Sequence, residues 1–208
     1  MRDGATLPEG LSYYKKIKIP VEKVVVTSTT HIPSLEFLNE EASLVGFPGL
    51  DYISSEKTRK LISENKIREL GRNEALNTET LLDLQPDVVI GFSIDGSNKS
   101  LNTIQKSGIP VVFNSDWTEN SPLGKAEWIK FFGAFYGKIE AANALFEKIE
   151  SEYLKAKELA TTAADEPTVL AGAMYKDQWY LPGGDSWQAA FIEDANAKYL
   201  FEDSEAAG

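Results

Sequence analysis

Apolar residues in the first half of the chain fall into short, β-branched runs, separated by stretches in which they recur every three or four positions. Lys23–Thr27 (KVVVT), Asp87–Gly91 (DVVIG) and Pro110–Asn114 (PVVFN) have the length of buried strands, and Leu44–Phe47 forms a weaker one. These runs are almost continuously apolar, as parallel strands covered on both faces are. Between them, Pro33–Glu41, Ser55–Asn65, Thr78–Leu84 and Asn98–Ser107 carry helical spacing, and Gly108 stands where a helix C-terminal cap belongs. The alternation predicts a small parallel sheet with helices on both faces, an α/β lobe over residues 1–121.

From Pro122 to about Ala160 the pattern changes. Trp128, Phe132, Phe135, Ile139, Ala142, Phe146, Ile149, Tyr153 and Ala156 follow one another in steps of four and three, which predicts a single amphipathic helix over 122–160. Ser121 is placed to cap it, and Pro122 suits a first turn, where its missing amide hydrogen costs nothing. Such a helix is about 57 Å long, more than a small lobe is wide, so it is expected to reach between lobes. A dimeric coiled coil is the competing reading, against which stand the large aromatics and Gly133 and Gly137. After the polar stretch Thr161–Glu166, Thr168–Met174 and Gln178–Leu181 read as strands and Ser186–Asn196 as a helix. These form the start of a second α/β lobe over 161–208, with too few elements to close a sheet and therefore apparently truncated.

Composition narrows the function classes. With 42% hydrophobic and 11% aromatic residues, 208 residues suffice for a real core. A net charge of −11 argues against a nucleic-acid partner. The absence of cysteine excludes disulfides, thiolate metal sites and a cysteine nucleophile. No stretch approaches the length of a membrane span, and Met1-Arg2-Asp3-Gly4 lacks a signal-peptide core, so either the chain is cytoplasmic or its export segment has been removed. Neither phosphate-cradling glycine motif occurs, nor a G-x-S-x-G elbow, and the sole histidine is His31. No cofactor and no metal centre are expected.

Several segments resemble one family, the solute-binding proteins of iron-siderophore, haem and cobalamin importers. Asn77-Thr78-Glu79-Thr80-Leu81-Leu82-Asp83-Leu84-Gln85-Pro86-Asp87-Val88-Val89-Ile90 is similar to the family's helix that leads through Pro-Asp into a central strand. Lys23–Thr30 resembles the first strand and its loop, Gly108–Val112 the approach to the third, Pro122–Phe131 the start of the backbone helix, and Pro182–Trp187 with Lys198–Phe201 a segment of the second lobe. The resemblance implies two α/β lobes joined by a rigid helix that permits little hinge bending. It also implies capture of an iron-siderophore, haem or corrinoid ligand between the lobes, delivery to an ABC permease, and no catalysis. A monomer is expected, periplasmic or anchored as a lipoprotein, with its signal segment absent from this chain. Some relatives dock onto permease arginines through a carboxylate on each lobe; the stretch Ser97–Ser107 has none, which leaves Asp95 as the nearest.

In an open α/β lobe, ligands sit outside the carboxyl ends of the strands. The loops there, Ser28–Pro33, Gly91–Ser97 and Asn114–Glu119, offer Thr29, Thr30, His31, Phe92, Ser93, Asp95, Asp116 and Trp117. Hydrogen-bonding groups mixed with flat rings suit a large ligand with a planar body and polar edges. Tyr175, Trp179 and Trp187 are the expected contribution of the second lobe, with Gly183-Gly184 allowing close backbone approach. His31 is placed to ligate haem iron or cobalt, to hydrogen-bond a ligand carboxylate, or simply to begin the following helix. An α/β enzyme using the same loops, with Asp95 and Asp116 as acid and base, is the alternative from another class; solvated loop carboxylates are the simpler reading of that pair.

Overall fold

The computed structural model describes residues 15–92 and 98–205. In chain order the elements are β1 (Val24–Val26), α1 (Ile32–Phe37), β2 (Leu44–Phe47), α2 (Glu56–Ser63), β3 (Arg68–Glu69), β4 (Gly71–Arg72), β5 (Ala75–Leu76), α3 (Thr78–Leu84), β6 (Val88–Gly91), α4 (Lys99–Lys106) and β7 (Val111–Phe113). There follow α5 (Pro122–Glu127), α6 (Ile129–Tyr136), α7 (Ile139–Ala160), β8 (Thr168–Val169), β9 (Ala173–Tyr175), β10 (Gln178–Tyr180), α8 (Trp187–Asp194) and β11 (Lys198–Tyr199). Two compact units result, the first from residues 1–115 and 131–142, the second from 116–130 and 143–208.

The first unit is built on a parallel sheet of order β3-β2-β1-β6-β7. Its central strands are apolar at every position because both faces are covered: Val25, Val26, Val88, Val89 and Ile90 are fully buried. Val25 and Val89 pack with Leu81 of α3 and Leu101 and Ile104 of α4, while the pleat sends Val24, Val26, Val88 and Ile90 to the opposite face. Burying each such side chain contributes about 1.5–3 kcal/mol. The Pro-Asp step before β6 fixes the pairing of β6 with β1, since the Asp87 carboxylate accepts from the amides of Glu22 and Lys23, each at 2.9 Å. Asn77 and Asn98 cap α3 and α4 by accepting from Thr80 N and Leu101 N. Gly108, at φ +100, ends the turn after α4.

The stretch expected as one helix over 122–160 is three consecutive helices. At Trp128 the interruption is one residue long and its backbone stays helical, φ −58 and ψ −14. At Gly137 it is a true stop. Gly137 takes φ +64, and the Lys138 amide donates back to Gly133 O at 2.8 Å, the hydrogen bond of a Schellman cap. Lys138 O then accepts from Ala142 N at 2.9 Å to open α7, which runs for 22 residues, about 33 Å. Within the first unit the junction is tied by Lys138, which reaches Leu38 O at 2.7 Å and the Glu40 carboxylate at 2.6 Å. The buried Tyr136 hydroxyl, 2.7 Å from Ser43 Oγ, adds a second tie.

The second unit carries short strands only: β8 and β11 pair in parallel, and β9 and β10 form a hairpin. Its integrity comes from side-chain ties between helices. Asp194 of α8 accepts from Tyr153 Oη and Lys157 Nζ of α7, both at 2.5 Å, and Phe191 meets the Tyr153 ring edge-on at 5.6 Å. Burial pushes the Asp194 carboxyl up, but the hydrogen bonds from Lys157 and Tyr153 outweigh it and hold it below its usual range.

Candidate functional site

The carboxyl ends of β1, β2, β3 and β6 open onto a concavity of about 960 Å³ in the first unit. Its position follows from topology. The chain passes from β1 outward to β2 and β3 and then returns to place β6 on the other side of β1, so the loops diverge there and leave a crevice. Thr27, Ser28 and Thr29 line it after β1; Phe47 to Gly49, Asp51 and Tyr52 after β2; Glu69 and Gly71 to Glu74 along the β4–β5 hairpin; and Phe92 after β6.

Thr27 organises the floor. Its hydroxyl accepts from Phe92 N at 2.7 Å, its carbonyl from Asn73 Nδ2 at 2.7 Å, and its amide donates to Ile90 O at 3.2 Å. The hairpin is held again by Asn98 Nδ2, which donates to Asn73 O at 3.0 Å. On the rim, Tyr52 is 80% exposed, and Arg72 is exposed and takes part in none of the ion pairs among the described residues. The Glu69 carboxylate is fully engaged by backbone amides. Burial pushes it up, but the amides of Leu50, Gly49 and Gly71 outweigh that and hold it below the usual range.

Of the residues expected from the sequence, Thr29 and Phe92 line this concavity. The Thr30 hydroxyl is turned to Ser28 Oγ at 2.8 Å. His31 is fully buried, with its ring 5.5 Å from that of Phe132, and it begins α1. The burial that satisfies the core removes the imidazole from the concavity. Ser93 and Asp95 lie outside the described residues. In the second unit, Trp117 is 41% exposed, and Tyr175 and Trp179 are exposed on the β9–β10 hairpin. The pairing puts Met174 opposite Trp179 and Gln178 opposite Tyr175, so the pleat directs Tyr175 and Trp179 to opposite hairpin faces. Trp187 is half-buried at the start of α8, with Lys125 Nζ 5.1 Å from its ring centre. Asp116 O accepts from Lys125 Nζ at 2.9 Å. Gly184 also departs from expectation, because it makes room for the chain itself: a Cβ there would lie 1.8 Å from Glu202 O. Sequence reasoning missed Tyr52, Glu69 and Arg72, which sit on elements of two or three residues without periodic signal.

A family model for periplasmic binding proteins matches residues 24–207. An uncharacterised lipoprotein of Methanocaldococcus jannaschii is 30% identical over 94% of this chain and 49% of its own length. The chain spans about half the length of the curated relatives it matches. Among solved structures, a protein of Staphylococcus epidermidis described as a possible iron-binding (periplasmic solute-binding) protein superposes with a TM-score of 0.69 at 17% identity, covering 90% of this chain and 70% of that one. The periplasmic haem-binding protein HutB of Vibrio cholerae gives 0.69 at 18% identity, covering 86% and 66%. Both share the fold, an α/β architecture with a parallel sheet and a long helix. On the match across nearly the whole chain, the protein belongs to the periplasmic binding protein family.

Proposed function

We propose that the chain is the ligand-capturing part of a substrate-binding component of an ABC importer, and that it hands an iron-siderophore, haem or corrinoid to a membrane permease. The concavity at the strand ends carries this reading. Its volume of about 960 Å³ suits a large ligand, and its lining combines the flat faces of Tyr52 and Phe92, the hydroxyls of Ser28 and Thr29, and the guanidinium of Arg72. A planar or bulky apolar body fits the rings, and an anionic edge fits Arg72. The descriptions of the Staphylococcus and Vibrio structures as iron-binding and haem-binding proteins support the iron-containing members of this set.

From the sequence pattern, Ser93, Asp95, Trp117, Tyr175, Trp179 and Trp187 are proposed as further ligand contacts. The protein acts outside the cytoplasm, as a periplasmic protein or a lipoprotein, in keeping with the Methanocaldococcus lipoprotein; no helix among the described residues is long and apolar enough to cross a membrane. It works as a monomer, and by binding without catalysis. Titrating the folded protein with haemin, cyanocobalamin and a panel of ferric siderophores, followed by tryptophan fluorescence with inner-filter controls, tests this. Saturable quenching by one class at micromolar concentration or below is expected, with affinity weakened about tenfold or more in Arg72→Ala. Folded protein that binds none of them contradicts the proposal.

A further inference from the structure

We propose that Glu69 is a positioning residue: its one carboxylate joins the loop that carries Tyr52 to the hairpin that carries Arg72, so that both rims of the concavity are set before a ligand arrives. The inference rests on the reading of the concavity as a ligand site.

Glu69 Oε1 accepts from Gly49 N and from Gly71 N, both at 2.8 Å, and Oε2 accepts from Leu50 N at 2.9 Å. Both glycines are left-handed, at φ +75 and +82, a conformation that aims their amides at one point and that other residues adopt only with strain. A Cβ at Gly49 would also lie 2.7 Å from the Tyr52 ring. The loop is gripped from its other side by Arg59 Nη1, which donates to Leu50 O at 3.0 Å. Tyr52 N then closes the turn onto Gly49 O at 3.0 Å. Tyr52 therefore stands on a turn whose first two amides end on Glu69, while Arg72 follows directly on the third.

The carboxylate holds loops and not the sheet. The Leu70 amide also helps hold the Glu69 carboxyl down, but its own bond, Leu70 N to Phe47 O at 3.0 Å, ties β3 to β2, and Leu70 is fully buried in the core. Removing Glu69 should release the two rims together and leave the strands in place.

The test is residue-resolved amide hydrogen exchange on the ligand-free full chain. In Glu69→Ala, exchange at Gly49, Leu50 and Gly71 is expected to speed up together by about tenfold or more, as the loss of hydrogen bonds to a charged group implies, with Val25 and Val89 unchanged. In Glu69→Gln the remaining carbonyl still serves the two glycines while the new amide group faces Leu50 N, so Leu50 should accelerate most. That graded order separates rim positioning from a general loss of structure. Acceleration of only one of the three amides in Glu69→Ala, or equal acceleration of the core amides, overturns the proposal. Whichever of haemin, cyanocobalamin or ferric siderophore binds the wild type should bind Glu69→Ala about tenfold more weakly and Glu69→Gln by less; an unchanged affinity also overturns it. If none binds the wild type, the proposed function fails, while the exchange pattern still decides whether Glu69 joins the rims.

Discussion

The two compact units spend their apolar residues differently. In the first, all seven positions of the paired strands β1 and β6 are buried, and the polar chemistry gathers at their carboxyl ends. In the second, β9 and β10 are exposed at every position, with Met174 at 64%, Tyr175 at 60% and Tyr180 at 56%. A buried sheet fixes where its loops emerge, so the first unit's concavity is a consequence of strand order. The second unit has no such scaffold and relies on discrete ties such as Tyr153–Asp194–Lys157.

That contrast can be broken most severely by placing a charge in each strand system. Val89→Asp puts an unpaired carboxylate among fully buried neighbours and should cost on the order of 4 kcal/mol or more in chemical denaturation, whereas Trp179→Asp should stay within about 0.5 kcal/mol. Next in size is Gly184→Ala. Its Cβ would meet the Glu202 backbone, so the turn must shift, and a loss of about 1–3 kcal/mol confined to the second unit is expected. Asp87→Ala removes the carboxylate oxygen that accepts from two amides at the start of the β1–β6 pair and should cost about 1–2 kcal/mol, visible as faster exchange at Glu22 and Lys23.

The smallest effect concerns acid. Because the folded Asp194 carboxyl lies below its ordinary value of 3.8, its tie stabilises the protein above that pH and is lost as pH falls through the depressed folded value. Asp194→Asn should flatten that part of an acid-unfolding profile. An unaltered profile would remove the tie from the account of the second unit.

Much of the first unit is legible from the sequence because its strands and helices carry their own periodicity: Val24–Val26, Val88–Ile90 and the helical spacing of Thr78–Leu84 and Asn98–Ser107 announce themselves. β3, β4 and β5 do not. Arg68-Glu69 and Gly71-Arg72 contain no apolar run, and only pairing with neighbours makes them strands. The break at Gly137 escapes the pattern because the step from Phe135 to Ile139 keeps helical spacing across the stop. At the site, the rule of carboxyl strand ends finds Thr29 and Phe92. It cannot find Tyr52, Glu69 and Arg72, whose places depend on left-handed glycines and backbone amides. His31, in the loop after β1, is a buried side chain that begins α1, one of the readings its loop position left open.

The strand ends of the first unit are the proposed seat of the ligand. The direct measurement is amide NMR of the isotope-labelled chain on addition of haemin or a ferric siderophore, whose paramagnetic iron broadens nearby signals, with cyanocobalamin followed by chemical shift. Selective broadening or shift at residues 27–29, 48–52, 71–74 and 92 is the predicted result. Saturable binding that leaves all of those signals untouched would contradict it.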